Sequence, residues 1–143
     1  MPGVRDIIKV DVKGVKEIAR NLGIVEDTLV RELGRALFAE ARGVIKEANV
    51  ECPKDTLALS RSRFVTPPIR SKEEVKVICG FGTDSVINPK TKRPTSEYAI
   101  YVHERLDVYH PVGKAKFLED PVNRLRPKLE SNIAARMAPI IGR

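Results

Sequence analysis

The stretch from Glu26 to Asn49 does most to limit what this chain can become. Val30, Leu33, Leu37, Ala41, Val44 and Ala48 recur there at three- and four-residue spacing, while Arg31, Arg35, Glu40, Arg42 and Glu47 fall mostly on the other side. The pattern predicts one long amphipathic helix, and Glu26 and Asp27 at its start complement the positive end of the helix dipole. Such a stripe is too large to leave in water, so the rest of the chain must supply a surface that covers it. Gly34 and Gly43 lie inside the helix, each costing about 1 kcal/mol relative to alanine. Both sit away from the centre of the stripe, which fits a close neighbour on a second face, such as another subunit, or an incidental tolerated glycine.

Strand signals lie on both sides of this helix. Val4–Val12 alternates near its end, with Ile8, Val10 and Val12 on one face and Lys9, Asp11 and Lys13 on the other, as in a half-buried edge strand. Gly14 breaks it, and Val15, Ile18, Ala19 and Leu22 form a short helical stripe that Gly23 stops. After the long helix, Pro53 forbids continuation, and Asp55 or Thr56 is placed to cap the turn Leu57-Ala58-Leu59. Arg61–Val65 and Val75–Phe81 read as strands joined across Pro67-Pro68 and the charged turn Ser71–Glu74, with Val75, Val77, Cys79 and Phe81 on one face. Gly82–Glu97 is a long polar loop centred on Asn88–Pro94, expected to project and to be mobile in the isolated protein.

Tyr98–Glu104 favours a strand by propensity, although its length also suits one or two helical turns. Asp120 and Pro121 mark the cap and first position of a last helix, whose apolar stripe is Val122, Leu125, Leu129, Ile133 and Met137. Pro127 should kink it near its start.

Composition narrows the function. The length of 143 residues fits one domain, 1–143, and 42% hydrophobic with 31% charged residues excludes a disordered tail. No apolar run approaches the roughly 20 residues needed to span a bilayer, so no membrane partner is expected. The opening MPGVRDIIKVDVKG lacks the apolar core of a signal peptide and reads as cytosolic. Cys52 and Cys79 form no CxxC pair and read as free thiols, one or both buried. The net charge is +7, and the span from Arg61 to Arg93 holds eight basic against three acidic residues. Arg61, Arg63, Arg70 and Lys72 are its candidate DNA-facing side chains. A concentrated basic region can hold phosphate or simply stay solvated, and charge alone does not choose. The absence of tryptophan argues against a stacking platform for single strands, and no helix-turn-helix, zinc-finger or RNP motif is visible.

All three tyrosines and both histidines fall within Tyr98–Val122, which also holds a Pro/Gly turn at Pro111–Gly113 and runs into the last helix. Two readings compete for it: a metal or acid/base site at His103, Glu104, Asp107 and His110, or a structural hinge. The zinc-protease pattern needs a second histidine at position 107, where aspartate stands. A histidine among tyrosines is more often packed or solvated than ligating, so the hinge is preferred. No motif pairs Cys52 or Cys79 with a histidine as nucleophile and base. Gly80-Phe81-Gly82 lacks the third glycine and the lysine of a phosphate loop. No specific enzyme signal emerges, and no cofactor is expected.

Four pieces in order carry a resemblance. They are the opening Val-Lys-Gly-Val-Lys-Glu-Ile, the long helix ending in Cys-Pro-Lys-Asp-Thr-Leu-Ala-Leu-Ser-Arg-Ser, then Tyr-Ala-Ile-Tyr-Val-His-Glu, then Gly113-Lys-Ala-Lys-Phe-Leu-Glu-Asp-Pro before the closing helix. The chain resembles, over nearly its whole length, the tail-completion proteins (minor tail or neck proteins) of tailed bacteriophages and prophages. Its motif residues would be Pro53, Asp55, Thr56, Tyr98, His103, Glu104, Phe117 and Leu118. The family's first motif usually reads Pro-x-Asp-Thr-Gly-x-Leu, and Leu57 stands in place of that glycine; if the turn needs a positive φ, leucine is strained there.

The resemblance implies an α+β fold, an antiparallel sheet packed against the long helix and a C-terminal helix. It also implies that Tyr98–Glu104 is a short helical segment, against its propensity, and that there is no catalysis. It further implies a virion protein assembled in the host cytoplasm. Such a protein would form a six- or twelve-fold ring at the head–tail junction, meeting other neck, connector and tail-tube proteins and DNA in the channel. A ring needs two different complementary patches. Expected as reaching elements are the loop, with Asn88, Lys90, Lys92 and Arg93, and the strand Val4–Val12. The face around Gly34 and Gly43 is the expected receiving surface.

Overall fold

The computed structural model describes residues 6–52, 57–71, 73–83, 86–95 and 117–141. Their order is strand β1 (Asp6–Lys13), helix α1 (Val15–Leu22), the long helix α2 (Glu26–Glu51), one helical turn α3 (Ala58–Arg61), strands β2 (Phe64–Val65), β3 (Ile69–Ser71) and β4 (Glu74–Phe81), then helix α4 (Glu119–Leu125), a 3₁₀ turn (Arg126–Lys128) and helix α5 (Leu129–Ile141). The architecture is α+β, an antiparallel sheet with the long helix and a C-terminal helix, as expected.

The sheet is antiparallel with β4 at its centre. On one side β1 pairs along its whole length, setting Ile8 opposite Cys79, Val10 opposite Val77 and Val12 opposite Val75. Directly opposed residues share a face, so these three join the row Val75, Val77, Cys79 and Phe81, which is buried against α2. On the other side β2 pairs with Gly80 and Cys79, while β3 pairs with Glu74 to Lys76. Leu29, Leu33, Leu37, Ala41, Val44 and Ala48 of α2 close the core from above. Phe81 meets Phe117 edge-to-face at 4.9 Å between ring centres, a geometry worth about 1 kcal/mol beyond its burial.

Several local expectations need correcting. Arg61 belongs to the helical turn α3, and the strand expected over Arg61–Val65 shrinks to Phe64–Val65. The reason is a cap: the Ser62 hydroxyl donates to the Leu59 carbonyl and the Ser62 N–H to the Ala58 and Leu59 carbonyls, closing the turn. Strand β3 is one that the sequence does not announce, because three exposed residues after two prolines show no periodicity.

The last helix starts at Glu119, so Asp120 is not its cap and Pro121 is its third residue. The first four N–H groups of a helix have no partner within it, so proline is tolerated there. Pro127 does interrupt the helix, as the 3₁₀ turn between α4 and α5, and Pro139 lies inside α5. Glu40, expected outward, is buried at 7% exposure and accepts from Arg136 Nε at 2.8 Å and Asn132 Nδ2 at 3.3 Å, tying α2 to α5.

Over its described residues the polar loop is a hydrogen-bonded hairpin, with Ile87 bridged to Pro94. Thr95 clamps its base. Its fully buried hydroxyl accepts from the Thr83 N–H and donates to the Thr83 carbonyl, both at 2.9 Å.

Candidate functional site

Three surfaces collect the functional candidates, and each follows from where α2 meets the sheet. The first is the groove between the C-terminal half of α2 and β2. Arg42 and Lys46 stand one turn apart on α2, and Arg63 reaches in from the residue before β2, around an open volume of about 510 Å³. Like charges at this spacing repel, costing about 0.2–0.5 kcal/mol. Among the described residues, none that lines the groove is acidic and none of these three cations pairs with a carboxylate. The groove is held in shape locally: Arg63 donates to the Ser60 carbonyl at 2.9 Å, and Ser60 donates through its hydroxyl to Asn49. Arg42 lies over the Phe38 ring, 5.8 Å from its centre.

The second surface is the open edge of β1. No described strand pairs with its outer side. Beside it runs a groove of about 360 Å³ between β1 and α4, lined by Ile8, Val10, Val122, Leu125 and Leu129 and floored by Cys79. Burial pushes the Cys79 thiol up to about 11, and it therefore carries no charge at neutral pH.

The third surface is the hairpin tip. Lys90, Lys92 and Arg93 are exposed there, and Ile87 exposes 47% of its surface. Asn88 is not free for a partner. Its side-chain oxygen accepts from the Lys90 N–H at 2.8 Å, and its backbone exchanges with Arg93 and Lys92, so it shapes the turn from within. This lets Lys92 sit at φ 62°.

The remaining sequence candidates divide. Gly34 is buried, and a Cβ there would lie 2.9 Å from Pro68 Cβ, so its missing side chain admits this chain's own β2–β3 connection and offers no surface to a neighbour. Gly43 has nothing within 4 Å of where a Cβ would stand, and it opens onto the basic groove. Arg70 does not join Arg63: it reaches Asp27 at 3.2 Å and Glu26 at 3.5 Å, at the far end of α2. Arg61 is exposed, two residues before Arg63. Phe117 and Leu118 are fully buried. Lys72, Pro53, Asp55, Thr56, Tyr98, His103, Glu104, Asp107 and His110 lie outside the described residues, so the metal and hinge readings do too. Among the described residues no group of His, Cys, Asp or Glu could hold a metal, and no helix is long and apolar enough to cross a membrane.

Sequence reasoning places Arg42 among side chains merely turned outward. The signal that could have singled it out is Arg42 and Lys46 at i and i+4 with no acid on that face.

Comparison with family models, with curated proteins and with solved structures returns no match. The functional reading therefore rests on the residues and their geometry.

Proposed function

We infer that this chain is a structural subunit that works by lateral self-association, forming a ring at the head–tail junction of a tailed phage or prophage. The observation that carries the reading is a pair of unlike, unfinished surfaces. One is the outer edge of β1, with which no described strand pairs, and the groove alongside it; the other is a hydrogen-bonded hairpin bearing an exposed isoleucine and three exposed cations. A closed ring of identical subunits is a head-to-tail interface and needs two different patches on each copy. The edge strand offers backbone hydrogen bonds and the groove beside it offers apolar contact, the two components of strand addition.

A second support lies in the turn after α2. The family's motif places glycine where this chain has Leu57, and Leu57 takes φ 64°, in the left-handed region that glycine favours. A leucine thus stands in a backbone conformation that a glycine would adopt without strain, which supports the resemblance. The reading assigns no catalysis. Electron microscopy of the concentrated protein should show annular particles, and cross-links between copies should join the hairpin to a neighbour. Particles that are never annular, or annuli whose cross-links never involve β1 or the hairpin, would discard it.

A further inference from the structure

We propose that the groove formed by Arg42, Lys46 and Arg63 is a phosphate-binding site that holds the backbone of double-stranded DNA. The groove carries an electrostatic cost. Arg42 and Lys46 repel across one helical turn, and Arg63 adds a third positive charge from the opposite wall. Several cations elsewhere on this chain are neutralised from within: Arg70 by Asp27 and Glu26, Arg124 by Glu47 and Glu51, Arg31 and Arg35 by Glu32. In this groove three cations converge on a volume whose described walls hold no carboxylate. An anion is what the arrangement lacks.

The shape and chemistry of the walls decide which anion. A protein partner needs a buried apolar anchor at the centre of its contact. The large apolar side chains exposed among the described residues are Leu22, Val25, Val50, Leu57, Ile69, Ile87 and Ile141, and none of them lines the groove. A polyanionic backbone needs no such anchor, because its affinity comes from neutralised phosphates and released counterions. Gly43 leaves the floor open, with nothing within 4 Å of a Cβ position, so a sugar–phosphate chain can approach the helix closely. Base reading is absent: contacts to phosphate position a protein without specifying sequence. Phe64 is half-buried, and among the described residues the groove presents no exposed ring to stack a base, which favours a duplex over an unpaired strand.

The site differs from the grouping of Arg61, Arg63, Arg70 and Lys72 that the sequence suggests. It drops Arg70 and recruits two cations from α2. It also stands apart from the ring reading, since self-association is measured without DNA.

The test is retention of a mixed-sequence DNA duplex by the full chain across a salt series. Three phosphate contacts give a log–log slope of about −2.7, so they weaken binding about 40-fold between 50 and 200 mM salt. The variant Arg42→Ala/Lys46→Ala/Arg63→Ala should lose that part of the slope, with equal effect on unrelated duplex sequences. Arg42→Lys/Arg63→Lys should keep most of it, and Arg70→Ala all of it. All three groove side chains are exposed, so the fold should survive; the single reversal Arg63→Glu provides an independent variant. The proposal is overturned if the triple variant keeps the wild-type slope. It is equally overturned if the wild-type chain retains poly-glutamate but no duplex at low salt. Ring formation without DNA should be unchanged in the triple variant, so failure of either idea is visible separately.

Discussion

The two halves of α2 are finished differently. Around Gly34 the helix is covered on a second side by this chain's own Pro68, and the charges nearby are closed off by Arg70 with Asp27 and Glu26. Around Gly43 nothing lies within 4 Å of where a Cβ would stand, and on its groove side stand three cations with no carboxylate among the described lining residues. One glycine serves packing within the molecule; the other opens onto a surface awaiting something else. The lesson is that a small residue on a helix does not identify an interface. What lies above it does.

The comparison can be broken in several ways. The largest effect is expected beneath both halves, in the shared core. Cys79 is protonated when folded, with its thiol raised from 9.0 to about 11, and once unfolded it ionises near 9.0. The unfolded state then releases the proton first, so stability from this group is intact below pH 9 and falls as pH rises from 9 towards 11, by roughly 2–3 kcal/mol. Urea unfolding of the wild-type chain and of Cys79→Ala over that range should show the difference between them shrinking. A constant difference would remove the burial argument.

The glycines are the sharper test. Gly34→Ala forces a Cβ against Pro68 and should destabilise by about 1–3 kcal/mol, as overpacking does. Gly43→Ala meets open space and should stabilise by about 1 kcal/mol through helix propensity. Denaturation midpoints moving in the same direction for both would mean that the two halves are not different after all.

Leu57→Gly should relieve the left-handed φ and stabilise by about 1 kcal/mol, even though it removes a side chain. Loss of stability in thermal melts would show that the leucine's contacts outweigh its strain. The smallest change is Lys46→Glu, which exchanges repulsion with Arg42 for attraction and should gain about 0.5 kcal/mol. The matching change at the other half, Arg70→Ala, should lose a similar amount by removing an exposed ion pair.

How far the sequence revealed these features depended on whether a signal was local. Helix α1 matches its expected bounds, Val15–Leu22, because Gly14 and Gly23 punctuate it and both take positive φ. The face Val75, Val77, Cys79 and Phe81 was legible because a sheet buried on one side has a strict period of two. The edge position of β1 was legible from its lysines.

The errors lie where a distant partner decides. Glu40 looks like any outward glutamate until Arg136, far along the chain, arrives to pair with it. Gly34 looks like a place for another subunit until Pro68 fills the space. Arg63 and Arg70 look like one patch because they are neighbours in sequence, yet they point to opposite ends of α2. Two of the groove's three cations come from a helix that precedes them, which no count along a window could join.

The central claim is that this chain completes its open edge with copies of itself. Sedimentation velocity over a wide concentration range tests it most directly, without DNA or any other partner. The account predicts that the slow single-chain species gives way to one closed oligomer of fixed size, and that Ile87→Asp at the hairpin tip delays the change at least tenfold in concentration while leaving the melting temperature in place. A chain that stays solitary at every concentration, or one that grows into an unlimited ladder of sizes, would contradict it.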